Sequence, residues 1–60
     1  MKQKIAEWRR FTSDRIAYWE MAEKIAARSG LAADAAHCAS RRWQFMELNE
    51  CLDLLDKAAA

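Results

Sequence analysis

The sequence predicts an all-α protein, an antiparallel two-helix hairpin that dimerises into a four-helix bundle. Three observations predict it. The 60 residues include one glycine and no proline, so a single position near the midpoint is built to break a helix. On either side of it, apolar residues recur at helical spacing. Finally, 53% of the residues are hydrophobic, with three Trp, two Phe and one Tyr. A chain of this size buries only roughly 60% of its unfolded surface, and each helix of a lone pair covers one side of the other. Small scaffolds with that surplus turn to disulfides, metals or self-association.

The first helix is expected over about 2–28. At about 100° per residue, Met1, Ile5, Trp8, Thr12, Ile16, Trp19, Ala22 and Ala26 share one face. Phe11, Tyr18 and Ile25 widen that face on one flank, while Arg9, Ser13, Glu20 and Lys24 turn to solvent. The turn falls at 29–31. Gly30 is the residue that enters the left-handed region without steric cost, as the position just past a helix C-terminus requires. Arg28 before it and Asp34 after it carry the charges that suit the two helix dipoles.

The second helix is expected over about 32–57. Leu31, Cys38, Phe45, Leu52 and Ala59 stand seven apart, the repeat of near-antiparallel bundle packing. Leu48 and Leu55 supply its second seam position, with Ala35 near it. Folding back at Gly30 pairs residues whose numbers sum to about 60: Ile5 with Leu55, Trp8 with Leu52, Thr12 with Leu48, Ala22 with Cys38. Arg41 then faces Trp19, and Glu23 meets His37 near the turn. The expected core is Ile5, Ile16, Trp19, Leu31, Cys38, Phe45, Leu48, Leu52 and Leu55.

Several function classes drop out at this level. Ten basic and nine acidic residues leave a net charge of +1, far from the balance of a general nucleic-acid binder. No apolar run approaches the ~18 residues of a membrane span. The N-terminus lacks the apolar stretch of a signal peptide, so the expected compartment is the cytoplasm. Cys38 and Cys51 would stand about 20 Å apart on one continuous helix, beyond the ~7 Å limit for a disulfide. His37, Cys38 and Cys51 match no metal-ligand spacing. No phosphate loop, nucleophile elbow or facing carboxylate pair is present. The expectation is a chain with no catalytic residues, no metal, no cofactor and no small-molecule substrate.

What remains is binding. Trp43 projects away from the heptad seam with Leu54 and Ala36 on its side, and an apolar strip of that kind marks an interface. Trp8, Phe11, Arg15, Tyr18, Trp43 and Leu54 are therefore the expected partner interface, in the Trp, Tyr and Arg chemistry of protein hot spots. The expected function is a small non-catalytic regulator, an inhibitor or adaptor that works by protein–protein contact as a homodimer. Arg9-Arg10-Phe11 and Arg41-Arg42-Trp43 place cations beside aromatics, which also suits RNA through phosphate contacts and stacking. An RNA-binding regulator with Arg9, Arg10, Arg41 and Arg42 as its contacts is the first alternative. A purely structural self-assembling bundle is the second.

The layout of about 60 residues, two helices, a turn near position 30 and Cys38 on the second-helix seam resembles the Rop-like plasmid copy-number regulators. That resemblance implies dimerisation into a four-helix bundle and binding of paired RNA loops through the face of helix 1. It is a likeness of architecture, and fold alone does not carry function.

Overall fold

A computed structural model describes residues 2–59. The expectations for Met1, and for the side chain of Ala59, lie outside the described residues. Two helices account for nearly all of the chain: α1 (Lys2–Arg28) and α2 (Ala32–Ala59). They pack along each other as a hairpin whose Cα trace measures 46 × 14 × 9 Å. α2 runs two residues past the expected end at 57. It contains no β-branched residue and is rich in Ala, Leu, Glu and Arg, the strongest helix formers. α1 carries Arg28 in its last turn and α2 carries Asp34 in its first, each the charge the adjoining helix dipole favours.

The turn closes as the lone glycine predicts. Gly30 adopts φ +75°. The Leu31 N–H donates to the Ala26 carbonyl at 2.9 Å and the Gly30 N–H to the Ala27 carbonyl at 3.2 Å. Those two bonds form a Schellman cap and satisfy carbonyls that a helix end leaves orphaned. Leu31 then starts α2: its carbonyl accepts from the Ala35 N–H at 2.9 Å. One residue thus ends the first cap and begins the second helix.

The buried core is small. Ile5, Ala26, Cys38 and Leu52 are its buried apolar members, and Ile5, Cys38 and Leu52 are three of the nine residues expected there. Ile16, Trp19 and Phe45 are half-buried. Leu31, Leu48 and Leu55 are not core in the hairpin; they stand 51%, 40% and 53% exposed. For Leu31 the reason is the turn, which lifts it beyond the packed helices. For Leu48 and Leu55 the reason is the side of α2 that the seam selects.

That seam is a heptad in both helices, rotated from the expected one. On α1 it runs Ile5, Arg9, Thr12, Ile16, Trp19, Glu23, Ala26. On α2 it runs Ala35, Cys38, Arg42, Phe45, Asn49, Leu52, Asp56. All fourteen are buried or half-buried. Cys38, Phe45 and Leu52 hold their expected place. The alternate seam position is four residues further on, at Arg42, Asn49 and Asp56, rather than three further on at Arg41, Leu48 and Leu55. Polar pairs across the seam account for the choice. The Arg42 Nε donates to Glu23 Oε1 at 3.2 Å. Arg9 pairs with Asp53 and, at 3.5 Å, with Asp56. Thr12, 0% exposed, places its Oγ1 2.9 Å from the Arg9 carbonyl and 3.0 Å from the Asn49 side-chain amide oxygen. A hydroxyl has one proton. Both contacts become hydrogen bonds when Thr12 donates to the carbonyl and the Asn49 amide turns to donate its NH2 to Thr12.

These contacts correct three expected pairings and one expected exposure. Thr12 meets Asn49, not Leu48. Glu23 meets Arg42, not His37. Trp19 sets its ring edge-to-face against His37, centroids 6.0 Å apart, while Arg41 stays exposed. Arg9, expected in solvent, reaches across to two aspartates.

Candidate interaction surface

The seam leaves a second face with large apolar side chains uncovered. About a quarter turn from the seam, α1 presents Lys4, Trp8, Phe11, Arg15, Tyr18, Ala22 and Ile25. α2 presents Asp34, His37, Arg41, Gln44, Leu48, Cys51 and Leu55. Both sets repeat the alternating three- and four-residue steps of a packing seam. They open on the same side of the hairpin. Trp8, Leu48 and Leu55 line one apolar groove of about 590 Å³ together with Lys4, Ile5 and Leu52. Further along, Phe11 crosses to Phe45 with ring centroids 6.2 Å apart, and it meets Trp8 at 5.8 Å, both edge-to-face. Such pairs contribute ~0.5–1.5 kcal/mol beyond area burial. Here they also hold large exposed rings in fixed positions.

Arg15 is half-buried on this face, with its guanidinium 4.5 Å above the Tyr18 ring. It is neither a buried charge nor a freely solvated one. The aromatic face takes the charge while the aliphatic stem covers apolar surface. Tyr18 in turn packs edge-to-face on Trp19 at 5.0 Å. The Trp19 Nε1 is buried and has no hydrogen-bond partner, a cost of ~1–3 kcal/mol for an unpaired buried donor.

Two more exposed apolar side chains stand elsewhere, with Glu47 and Glu50 between them on the same stripe of α2. Trp43 and Leu54 are exposed and eleven residues apart, so three helical turns, about 16 Å, separate them along α2. They point away from both the seam and the broad face. Arg42, held by Glu23, rests its guanidinium 5.9 Å from the Trp43 ring. The six residues expected to form one partner interface therefore divide: Trp8, Phe11, Arg15 and Tyr18 on the broad face, Trp43 and Leu54 on the back of α2.

The four arginines divide too. Arg9 and Arg42 are spent on carboxylates across the seam. Arg10 and Arg41 remain exposed, on different helices and different faces of the hairpin, with about 15 Å between their levels along the axis. Among the described residues, no group of three or more His, Cys, Asp or Glu is placed to hold a metal ion, and no helix is long and apolar enough to cross a membrane. Cys38 is buried and Cys51 exposed, both as free thiols. The signal for the polar seam was present in the sequence: Arg9 and Thr12 stand at the levels of Asp53 and Asn49, and Glu23 stands about one turn from the level of Arg42.

Comparison of the chain with protein-family models, curated proteins and solved structures finds no match. The helical hairpin is the layout that the resemblance to Rop-like regulators implied.

Proposed function

We propose that this chain is a non-catalytic regulatory protein that acts by protein–protein contact, assembled as a homodimeric four-helix bundle. The observation that carries the reading is a broad face of exposed aromatic and leucine side chains on a hairpin with one thin core, with Trp43 exposed away from it. The broad face supports the dimer. The hairpin exposes 4755 Å², whereas a compact monomer of 6.9 kDa exposes roughly 4000 Å² by the usual scaling. The surplus of roughly 750 Å² matches the ~800 Å² that each partner buries in a standard interface. Dimerisation of this kind leaves Trp43 and Leu54 uncovered, and they are the surface for a different protein, which the dimer presents twice.

The divided arginines weigh toward a protein target over RNA. Two of the four are already paired with carboxylates, and the remaining two lie on different faces of the hairpin. The test is affinity capture with a tagged chain, with and without nuclease, comparing wild type with Trp43→Ala. The expected result is a discrete protein that survives nuclease and is lost with Trp43→Ala, while thermal stability shifts little. Capture of RNA alone would replace this reading with the RNA-binding one. Capture of nothing but the chain itself would leave a structural bundle.

A further inference from the structure

The broad face is uneven along its length, and that unevenness decides how a second copy sits on it. The half near the open end is apolar from both helices: Trp8 and Phe11 from α1, Leu48 and Leu55 from α2, around the groove floored by Ile5 and Leu52. The half near the turn keeps Tyr18 and Ile25 on α1, but α2 contributes Arg41, His37 and Asp34 there. Arg15 lies at the middle of α1. Thr12 with Asn49 and Arg9 with Asp53 show that residues whose numbers sum to about 61 share a level.

We propose that the occupant of the broad face is a second copy of this chain, related by a two-fold axis parallel to the helices, so that both turns lie at the same end. The proposal rests on the dimer reading above and goes beyond it by fixing the symmetry. With this axis, α1 of each copy lies antiparallel beside α2 of the other, and each residue meets residues of its own level. Trp8 and Phe11 cover Leu55, Cys51 and Leu48 of the second copy, so the two grooves close on each other. Tyr18, whose ring already takes the Arg15 guanidinium, stands level with Arg41 of the second copy. Arg15 meets Gln44, whose amide oxygen accepts from it.

The axis perpendicular to the helices differs at α2. It sets each helix on its own counterpart: α1 keeps apolar contact, Trp8 by Ile25 and Phe11 by Tyr18, but α2 lays its apolar half on the charged half of its mate. Leu48 then packs on Gln44 and Arg41 of its mate, and Leu55 on His37 and Asp34. Arg15 faces Arg15. Like charges brought together and polar groups desolvated without partners both oppose association. The preference therefore comes from where the leucines and the charged residues lie along α2, not from the size of the face, which is equal in the two arrangements.

Pulsed dipolar spectroscopy on a spin-labelled chain tests this. Ser29 is exposed at the turn, and a label on Ser29→Cys in a Cys51→Ser background marks that end, since Cys38 is buried. With the axis parallel to the helices, the two labels fall under about 30 Å apart, given neighbouring helix axes 8–10 Å apart and the reach of the labels. A label on Gln3→Cys at the open end gives a similarly short distance. A Ser29→Cys distance near the 46 Å length of the hairpin overturns the symmetry but leaves the dimer standing. No dipolar coupling at 100 µM protein overturns the dimer itself. Adding Trp8→Ala, which removes a ring from the broad face and none from the buried core, is expected to abolish the short distance; its persistence would show that another face makes the contact.

Discussion

The seam and the broad face of this hairpin are built on the same repeat, and each holds eight apolar residues among its fourteen. They differ in their polar members. Those of the seam, a threonine, an asparagine, two arginines and two carboxylates, find partners across it. The face beside it, open to water, holds Trp8, Phe11, Tyr18, Leu48 and Leu55. A count of apolar residues does not choose between them. The difference teaches that matched polar pairs set the rotation of the two helices. Each polar seam residue finds a counterpart on the other helix at its own level or about one turn away. The apolar face is then free to meet something outside the hairpin.

The comparison breaks most sharply at leucine. Leu52→Ala removes a buried side chain and is expected to lower stability by ~2–5 kcal/mol, seen as a fall in the thermal midpoint at every protein concentration. Leu48→Ala, four residues away on the open face, is expected to act differently. It removes the rise of the midpoint with concentration that association confers and leaves the dilute value nearly unchanged. If both variants behave as core mutants in dilute solution, the seam is the apolar one after all.

Thr12 gives the next largest effect. Thr12→Val keeps the shape and strands the Asn49 amide, for an expected loss of ~1–3 kcal/mol in urea unfolding. The double variant Thr12→Val with Asn49→Leu should recover much of that loss, because an apolar pair of similar shape leaves no unpaired group. Additive losses would show that the two side chains do not meet.

Gly30→Ala probes the turn. No atom lies within 4 Å of an added Cβ, so the expected loss of ~1–2 kcal/mol comes from the positive φ alone. The ion pairs come last. Arg9→Met should cost less than about 1 kcal/mol, and the cost should shrink with added salt, because both partners are roughly two-fifths exposed.

These contrasts also mark what the sequence disclosed. A lone glycine in a chain without proline locates the turn, and the caps around it follow from backbone chemistry. The heptad at Cys38, Phe45 and Leu52 finds the constant half of the seam, and Ile5 its opposite wall. The other half turns on a choice between steps of three and four residues. From Cys38 the chain offers Arg41 or Arg42, from Phe45 it offers Leu48 or Asn49, and from Leu52 it offers Leu55 or Asp56. Counting apolar residues favours Leu48 and Leu55 and is silent between the two arginines. Only the cross-helix match with Glu23, Thr12 and Arg9 favours the second of each pair, and it becomes visible once both helices are laid side by side. The same rotation separated Trp43 from Trp8, which a single helical wheel could not place on opposite surfaces of the hairpin.

The central claim is that the broad apolar face is covered by another copy of the chain, and the molar mass in solution tests it most directly. Light scattering across micromolar concentrations is predicted to give twice 6.9 kDa for the wild type and the single-chain mass for Leu48→Ala. A wild-type chain that stays at 6.9 kDa up to 100 µM while fully helical would contradict the account.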